Sequence, residues 1–247
     1  MMTFTLDNSG LIGKAVFSDE DVGRIFLPLL RRLTALRREK GRRVLAMLAA
    51  PPAAGKSTLA AVLGQLSRRE SGLYPLNVLP MDGFHRRQAW LLSHTVERDG
   101  QTVPMAKIKG APQTFDLEAL TDKVARVAAG EDCLWPRYDR QLHDPVEDAI
   151  RVTGEVVLLE GNYLLLDEPG WRDLRPYADY TIFVSADPSF LRQRLLKRHV
   201  KGGKTAEEAA EIIDGSDMIN ADLCLRRSAP ADLTLRLDSE GRYSVLP

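Results

Sequence analysis

Cysteine is scarce. The 247-residue chain has two, Cys133 and Cys224. That excludes a disulfide scaffold, and the spacing is wrong for a Cys-based zinc site. Net charge is lacking too: 34 Lys+Arg offset 34 Asp+Glu. Dedicated nucleic-acid binders carry a basic excess, so no nucleic-acid partner is expected. No apolar run approaches the ~20 residues a membrane span needs. Residues 44–54 are broken by Pro51 and Pro52, and residues 156–166 by Glu160 and Asn162. The first residues lack a basic region followed by an apolar core, so no signal peptide is predicted. The expectation is a soluble cytoplasmic protein without membrane contact. Internal repeats and low-complexity linkers are also missing. What remains is ordinary globular material, 44% hydrophobic and 28% charged, enough for one large core or two small ones.

Residues 1–17 are weakly patterned. Ser18 precedes three acids, then apolar residues recur at helical spacing from Val22 to Leu36, which predicts a helix ending near Lys40-Gly41. A buried strand is expected over 43–50, a helix over 55–69 and a short apolar strand over 76–81. A helix over 113–129 has Asp116 near its start. Buried strands follow at 155–160 and 180–185. Asp187-Pro188 opens a helix, Thr205-Ala206-Glu207-Glu208 reads as a capping box, and residues 233–246 as a closing hairpin. Strands alternate with helices, which predicts an α/β fold with a mostly parallel sheet covered on both faces. The stretch from His85 to Pro112 is poorly periodic and long for a connection, as substrate loops and lids often are.

After the first buried strand comes Ala50-Pro51-Pro52-Ala53-Ala54-Gly55-Lys56-Ser57-Thr58. It ends in Gly-Lys-Ser but has Ala50 where the phosphate-loop pattern has its first glycine. The chemistry needs backbone N–H groups around phosphates, a helix N-terminus, a lysine on the β/γ oxygens and a hydroxyl on Mg²⁺. Residues 53–58 supply these, so ATP and Mg²⁺ are the expected cofactors. Ala50 closes a strand and has no need of positive φ. After the second strand, Met81-Asp82-Gly83-Phe84-His85 puts Asp82 at the strand's carboxyl end. A carboxylate there can accept a proton from an attacking hydroxyl, or can simply cap a turn.

The pair of motifs resembles the uridine kinase, phosphoribulokinase and bacterial pantothenate kinase group of P-loop kinases. Further segments fall in the group's order. Lys109-Gly110-Ala111-Pro112-Gln113-Thr114-Phe115-Asp116 is similar to its substrate loop, and Pro136-Arg137-Tyr138-Asp139 with His143 to its acceptor segment. Val156-Val157-Leu158-Leu159-Glu160-Gly161 is similar to its second acidic strand, Arg192, Arg194 and Arg198 to its lid, and 228–232 to its adenine loop. The resemblance covers roughly 43–238 and is greatest to a bacterial branch of fructose-transport-system (sugar) kinases and nucleoside/nucleotide kinase-like proteins. It implies a P-loop NTPase fold with a lid and a C-terminal β-hairpin, with 1–42 packed on a kinase domain of 43–247. Asp82, Lys56, Arg194 and Arg198 are the implied catalytic set, the last two because they share a helix face. Asp232 joins residues 53–58 in binding nucleotide, Ser57 and Glu160 hold the metal, and His85, Lys109, Tyr138 and His143 meet the acceptor. The implied reaction moves the γ-phosphate to a hydroxyl of a small metabolite, a sugar first, with a nucleoside or pantothenate as alternatives. A nucleotide-dependent switch acting on a protein partner is the reading from another class. A homodimer is left open.

Overall fold

Val44–Ala49 is apolar at every position and buried along its whole length. Such a strand needs cover on both faces, which a central parallel position provides. In the computed structural model, which describes residues 1–8, 11–98 and 100–247, this strand is β3. Before it come the antiparallel pair β1 (Met2–Asn8) and β2 (Leu11–Phe17). The helix that follows begins as α1 (Asp19–Asp21), where Ser18 accepts from the Asp21 N–H. It passes through a π-turn (Val22–Phe26) into α2 (Leu27–Lys40), ending on Gly41 in the left-handed region. Phe4, Phe17, Val22, Phe26 and Leu33 share one apolar cluster with Val44, Leu48 and Leu63.

From β3 the chain runs through α3 (Lys56–Arg69) to β4 (Leu76–Pro80). The segment 85–112 holds α4 (Gln88–Ser93) and a small antiparallel pair, β5 (Thr95–Arg98) with β6 (Gln101–Pro104). Helix α5 (Leu117–Ala128) is capped by Asp116, whose carboxylate accepts from the Ala119 N–H. The antiparallel pair β7 (Cys133–Asp139) and β8 (Asp144–Val152) comes next, with a register shift at Pro136. Then follow β9 (Val156–Gly161), β10 (Tyr180–Ala186) and α6 (Pro188–Lys201), capped by Asp187. Helix α7 (Ala206–Ile212) opens on the complete Thr205/Glu208 capping box and continues through a π-turn into α8 (Met218–Arg227). The chain closes with β11 (Leu233–Leu237) and β12 (Tyr243–Leu246).

The main sheet has the order β12-β11-β10-β3-β9-β4. All its pairings are parallel except the last, β11 with β12. The carboxyl ends of β3, β9 and β4 therefore lie side by side. That shared edge is where open α/β sheets bind ligands. Among the described residues no helix is long and apolar enough to cross a membrane.

Candidate active site

The phosphate loop is built by a change of backbone hand. Gly55 has φ +84° and N-caps α3, and Ala53 also has positive φ, at +64°. Ala50 is buried and needs no left-handed turn. The first free N–H groups of α3 thus point out of the sheet edge beside Lys56, Ser57 and Thr58.

Asp82 sits in a 3₁₀ turn, Met81–Phe84, entered directly from β4. Glu160 is the penultimate residue of β9 and is buried. The two strands pair with Pro80 opposite Glu160, so the carboxylates come together at adjacent strand ends. Lys56 Nζ lies 4.0 Å from Glu160 Oε2, and Ser57 bonds the same carboxylate. Desolvation works against charge on Asp82, but Lys56, Arg140 and Arg198 outweigh it and hold its carboxyl below the usual value; His85 adds to this only where it is protonated. Glu160 goes the other way: burial first, then the neighbouring Asp82 charge, push it above its ordinary value. One lysine thus serves two acids, and Asp82 keeps the negative charge. Ser57 and Glu160 bring oxygen donors together here. That suits a small hard cation that takes one or two carboxylates and completes its shell with phosphate oxygens and water.

The face beyond Asp82 is formed by a close approach of chains. A Cβ on Gly83 would fall 2.2 Å from the Pro136 carbonyl oxygen, so glycine alone lets the Asp82 turn touch β7. Trp135 fixes this contact by donating its Nε1–H to the Pro80 carbonyl at 2.9 Å, with its ring edge-on to Phe84. His85 stacks on Phe115, centroids 4.0 Å apart, and meets Tyr138 edge-on at 5.2 Å. Burial lowers His85 to about 4, so it is neutral at pH 7; its Nδ1 is shielded from solvent and has no hydrogen-bond partner among the described residues. Lys109 donates to Gln88 Oε1 and to the His143 carbonyl, both at 2.9 Å, and lies over the Tyr138 ring. A cavity of about 310 Å³ lies behind Phe84 and His85, against Trp90 and Pro145.

On the lid helix α6, Arg192 turns away to a bidentate pair with Asp214. Arg194 lies beside the phosphate loop: a Cβ built on Gly55 would be 3.5 Å from its guanidinium. Arg198 is 3.7 Å from Asp217, and its charge also acts on Asp82. Arg194 thus lies at the phosphate loop, and Arg198 is near enough for its charge to be felt at Asp82.

Two expected roles do not match the geometry. The His143 side chain is exposed at the β7–β8 turn, where the residue has φ +54°; its carbonyl, not its imidazole, is engaged. Asp232 enters β11 one position before the Leu233–Ile182 pair. Parallel strands share a direction, so this end lies away from the edge carrying the phosphate loop. Its carboxylate is taken up by the Thr181 N–H and hydroxyl, at 2.8 and 2.6 Å. The other end of β11 reaches the right edge. There a cleft of about 260 Å³ opens between α6 and the strand, lined by Phe190, Gln193, Arg236, Leu237 and Asp238, next to Arg194, which lies over the Phe190 ring.

Sequence reasoning also passed over Arg140 and Tyr243. Arg140 follows the Pro-x-Tyr-Asp string and gave a local signal. Tyr243, whose hydroxyl would be 3.9 Å from a Cβ on Gly55, gave none, because β12 reaches the loop only through the sheet.

No family model matches the chain. Among curated proteins it is 40% identical to the "Uncharacterized protein YggC" of Escherichia coli over 98% of both chains. It is 32% identical to the "Putative uridine kinase C227.14" of Schizosaccharomyces pombe, over 78% of this chain and 83% of that one. Among solved structures, the "putative fructose transport system kinase" of Silicibacter sp. TM1040 is 32% identical and superposes with a TM-score of 0.70, covering 82% of this chain and 98% of that one. With the phosphate loop, paired acids and arginine-bearing helix at one sheet edge, these likenesses place the chain in the uridine kinase, pantothenate kinase and phosphoribulokinase group of P-loop kinases, ATP-dependent enzymes that use Mg²⁺.

Proposed function

We propose that this kinase moves the γ-phosphoryl group of ATP to a hydroxyl of a sugar. The observation that carries the reading is the Asp82–Lys56–Glu160 group, in which one acid keeps its charge beside an aromatic-walled space for an acceptor. Lys56 and the α3 N-terminus hold the β/γ phosphates. Ser57 and Glu160 would hold Mg²⁺, which would neutralise phosphate charge. Asp82 aligns the acceptor oxygen and takes its proton. Arg194 and Arg198 stabilise charge on the transferred group as α6 closes and water is excluded. The adenine takes the cleft between α6 and β11. His85 and Tyr138 wall the acceptor; neutral at pH 7, His85 offers a hydrogen-bonding nitrogen. A sugar is favoured over a nucleoside or pantothenate by the likeness to the Silicibacter kinase.

The test is ATP consumption with a panel of sugars, nucleosides and pantothenate. A kinase consumes ATP far faster with one acceptor than with none. Slow, acceptor-independent hydrolysis across the panel would instead support a nucleotide-dependent switch.

A further inference from the structure

The last strand brings a tyrosine to the phosphate loop. Tyr243 is the first residue of β12 and pairs with Leu237, the last residue of β11. Strand β11 runs parallel to β10, and β10 to β3, so Tyr243 enters on the edge that carries the phosphate loop. Its hydroxyl lies 3.9 Å, and the Arg194 guanidinium 3.5 Å, from one point, the Cβ position of Gly55. Apart from residues adjoining Gly55, nothing else comes within 4 Å of that point among the described residues. Two donors thus converge beside the N-terminus of α3, and the space between them is open.

Packing explains the ring but not the hydroxyl. Tyr243 lies against Phe17 and Phe26, with centroids 6.2 and 5.5 Å apart, and a phenylalanine would fill that cluster as well. Its backbone N–H donates to Asp21 Oδ1 at 3.1 Å. Asp21 is buried on α1, and its Oδ2 has no hydrogen-bond partner among the described residues. A buried carboxylate is thus spent on fixing the start of β12, at a cost in desolvation. The phenol hydroxyl itself forms no hydrogen bond among the described residues, and burial pushes its pKa up to about 12, so it keeps its proton at neutral pH. A buried tyrosine hydroxyl ordinarily finds a partner. Arg194 is also left over: it forms no ion pair among the described residues, whereas Arg192 and Arg198 on the same helix pair with Asp214 and Asp217. A cation and a phenol, both unspent and next to the free N–H groups of a helix, suit an anionic oxygen.

We propose that Tyr243 is a nucleotide-binding residue: its hydroxyl and Arg194 together donate to the phosphate chain of ATP beside Gly55, and Asp21 is the positioning residue that holds the tyrosine there. The assignment rests on the reading of Arg194 as a nucleotide-side residue and is independent of the acceptor. It gives the N-terminal segment a part in the reaction. Phe17, Asp21 and Phe26 all belong to residues 1–42, so that segment sets one wall of the nucleotide site through β12.

The experiment titrates wild type, Tyr243→Phe, Asp21→Ala and Arg194→Gln with Mg-ADP and with adenosine, which has no phosphate, and melts each protein. Tyr243→Phe keeps the ring and should hold Tm within about 2 °C of wild type. It should nevertheless bind Mg-ADP about tenfold more weakly, the loss expected for a hydrogen bond to a charged group, with adenosine affinity unchanged. Asp21→Ala should lower Tm and, titrated well below it, should reduce the preference for Mg-ADP over adenosine about threefold or more. Wild-type Mg-ADP affinity in Tyr243→Phe, with Arg194→Gln weakened, would overturn the inference alone and leave the reading of Arg194 intact. A loss in Tyr243→Phe shared equally by Mg-ADP and adenosine would do the same, because it would mark a disturbed fold and not a missing phosphate contact. Unaltered Mg-ADP affinity in both Tyr243→Phe and Arg194→Gln would strike the nucleotide-side reading of Arg194 as well. A wild-type preference in Asp21→Ala would overturn the role given to Asp21.

Discussion

Asp82 and Glu160 share one lysine, and the folded protein treats them oppositely. Asp82 is held below its ordinary value by cations around it. A depressed acid stabilises the fold above its unfolded pKa, and that contribution is lost as pH falls through the folded value. Glu160 is raised by burial and by Asp82, so its ionisation costs the folded protein more than the unfolded one. Two variants separate them. Asp82→Asn should bind Mg-ATP normally, lose ~10²–10⁴ in turnover, and be less stable at pH 7. Glu160→Gln keeps the shape and the Ser57 bond. It should lose metal-dependent turnover yet match or exceed wild-type stability by about 1 kcal/mol, a Tm gain of about 2–4 °C. Turnover at saturating substrates and Tm at pH 7 check both. Near-normal turnover in Asp82→Asn would reduce Asp82 to a turn residue.

Among the elements, the lid and the hairpin divide the work, and each has a decisive position. Arg192, Arg194 and Arg198 lie on one helix, but Arg192 is spent on Asp214. Arg192→Ala should leave kcat within about threefold, whereas Arg198→Ala should cost on the order of 10²-fold or more, since lid arginines act on charge that develops in the transition state. Equal losses in both would mean that α6 acts only as a scaffold. In the hairpin, Gly83→Ala would put a methyl against Pro136. The β7 strand must then move by about 1 Å, a displacement of the kind that costs ~10²-fold in rate, with overpacking worth ~1–3 kcal/mol in stability. Its kcat/KM should collapse while Mg-ATP affinity, set on β3 and α3, holds. These elements also show what was readable beforehand. The β3 loop, Asp82 and Glu160 were legible because apolar runs and Gly-Lys-Ser are local signals. The β7–β8 hairpin was not, because Pro136 breaks the alternation of β7 and β8 is strongly charged. The misplaced Asp232 has a like cause: a string of residues does not reveal which edge of the sheet it enters from.

At the scale of the whole molecule, one histidine ties the aromatic wall to the stability of the fold. His85 joins Phe115 and Tyr138 and through Phe115 reaches Tyr163 and Trp171. Its imidazole is lowered to about 4 from an ordinary 6.5. Between those values the unfolded chain binds more protons than the folded one, so stability rises with pH and is lost as pH falls from about 6.5 toward 4. Acidification acts on every carboxylate as well, so a comparison with a variant isolates the histidine. His85→Phe keeps a stacking ring and cannot titrate. As pH drops from 7 to 5, wild type should lose on the order of 2 kcal/mol relative to His85→Phe, about 4–8 °C in Tm. Thermal melts of both proteins at half-unit pH steps measure the difference. A constant gap across that range would show that His85 titrates as it would in water, and the closed aromatic wall would then be wrong. A widening gap would show the same ring buried and neutral within that wall.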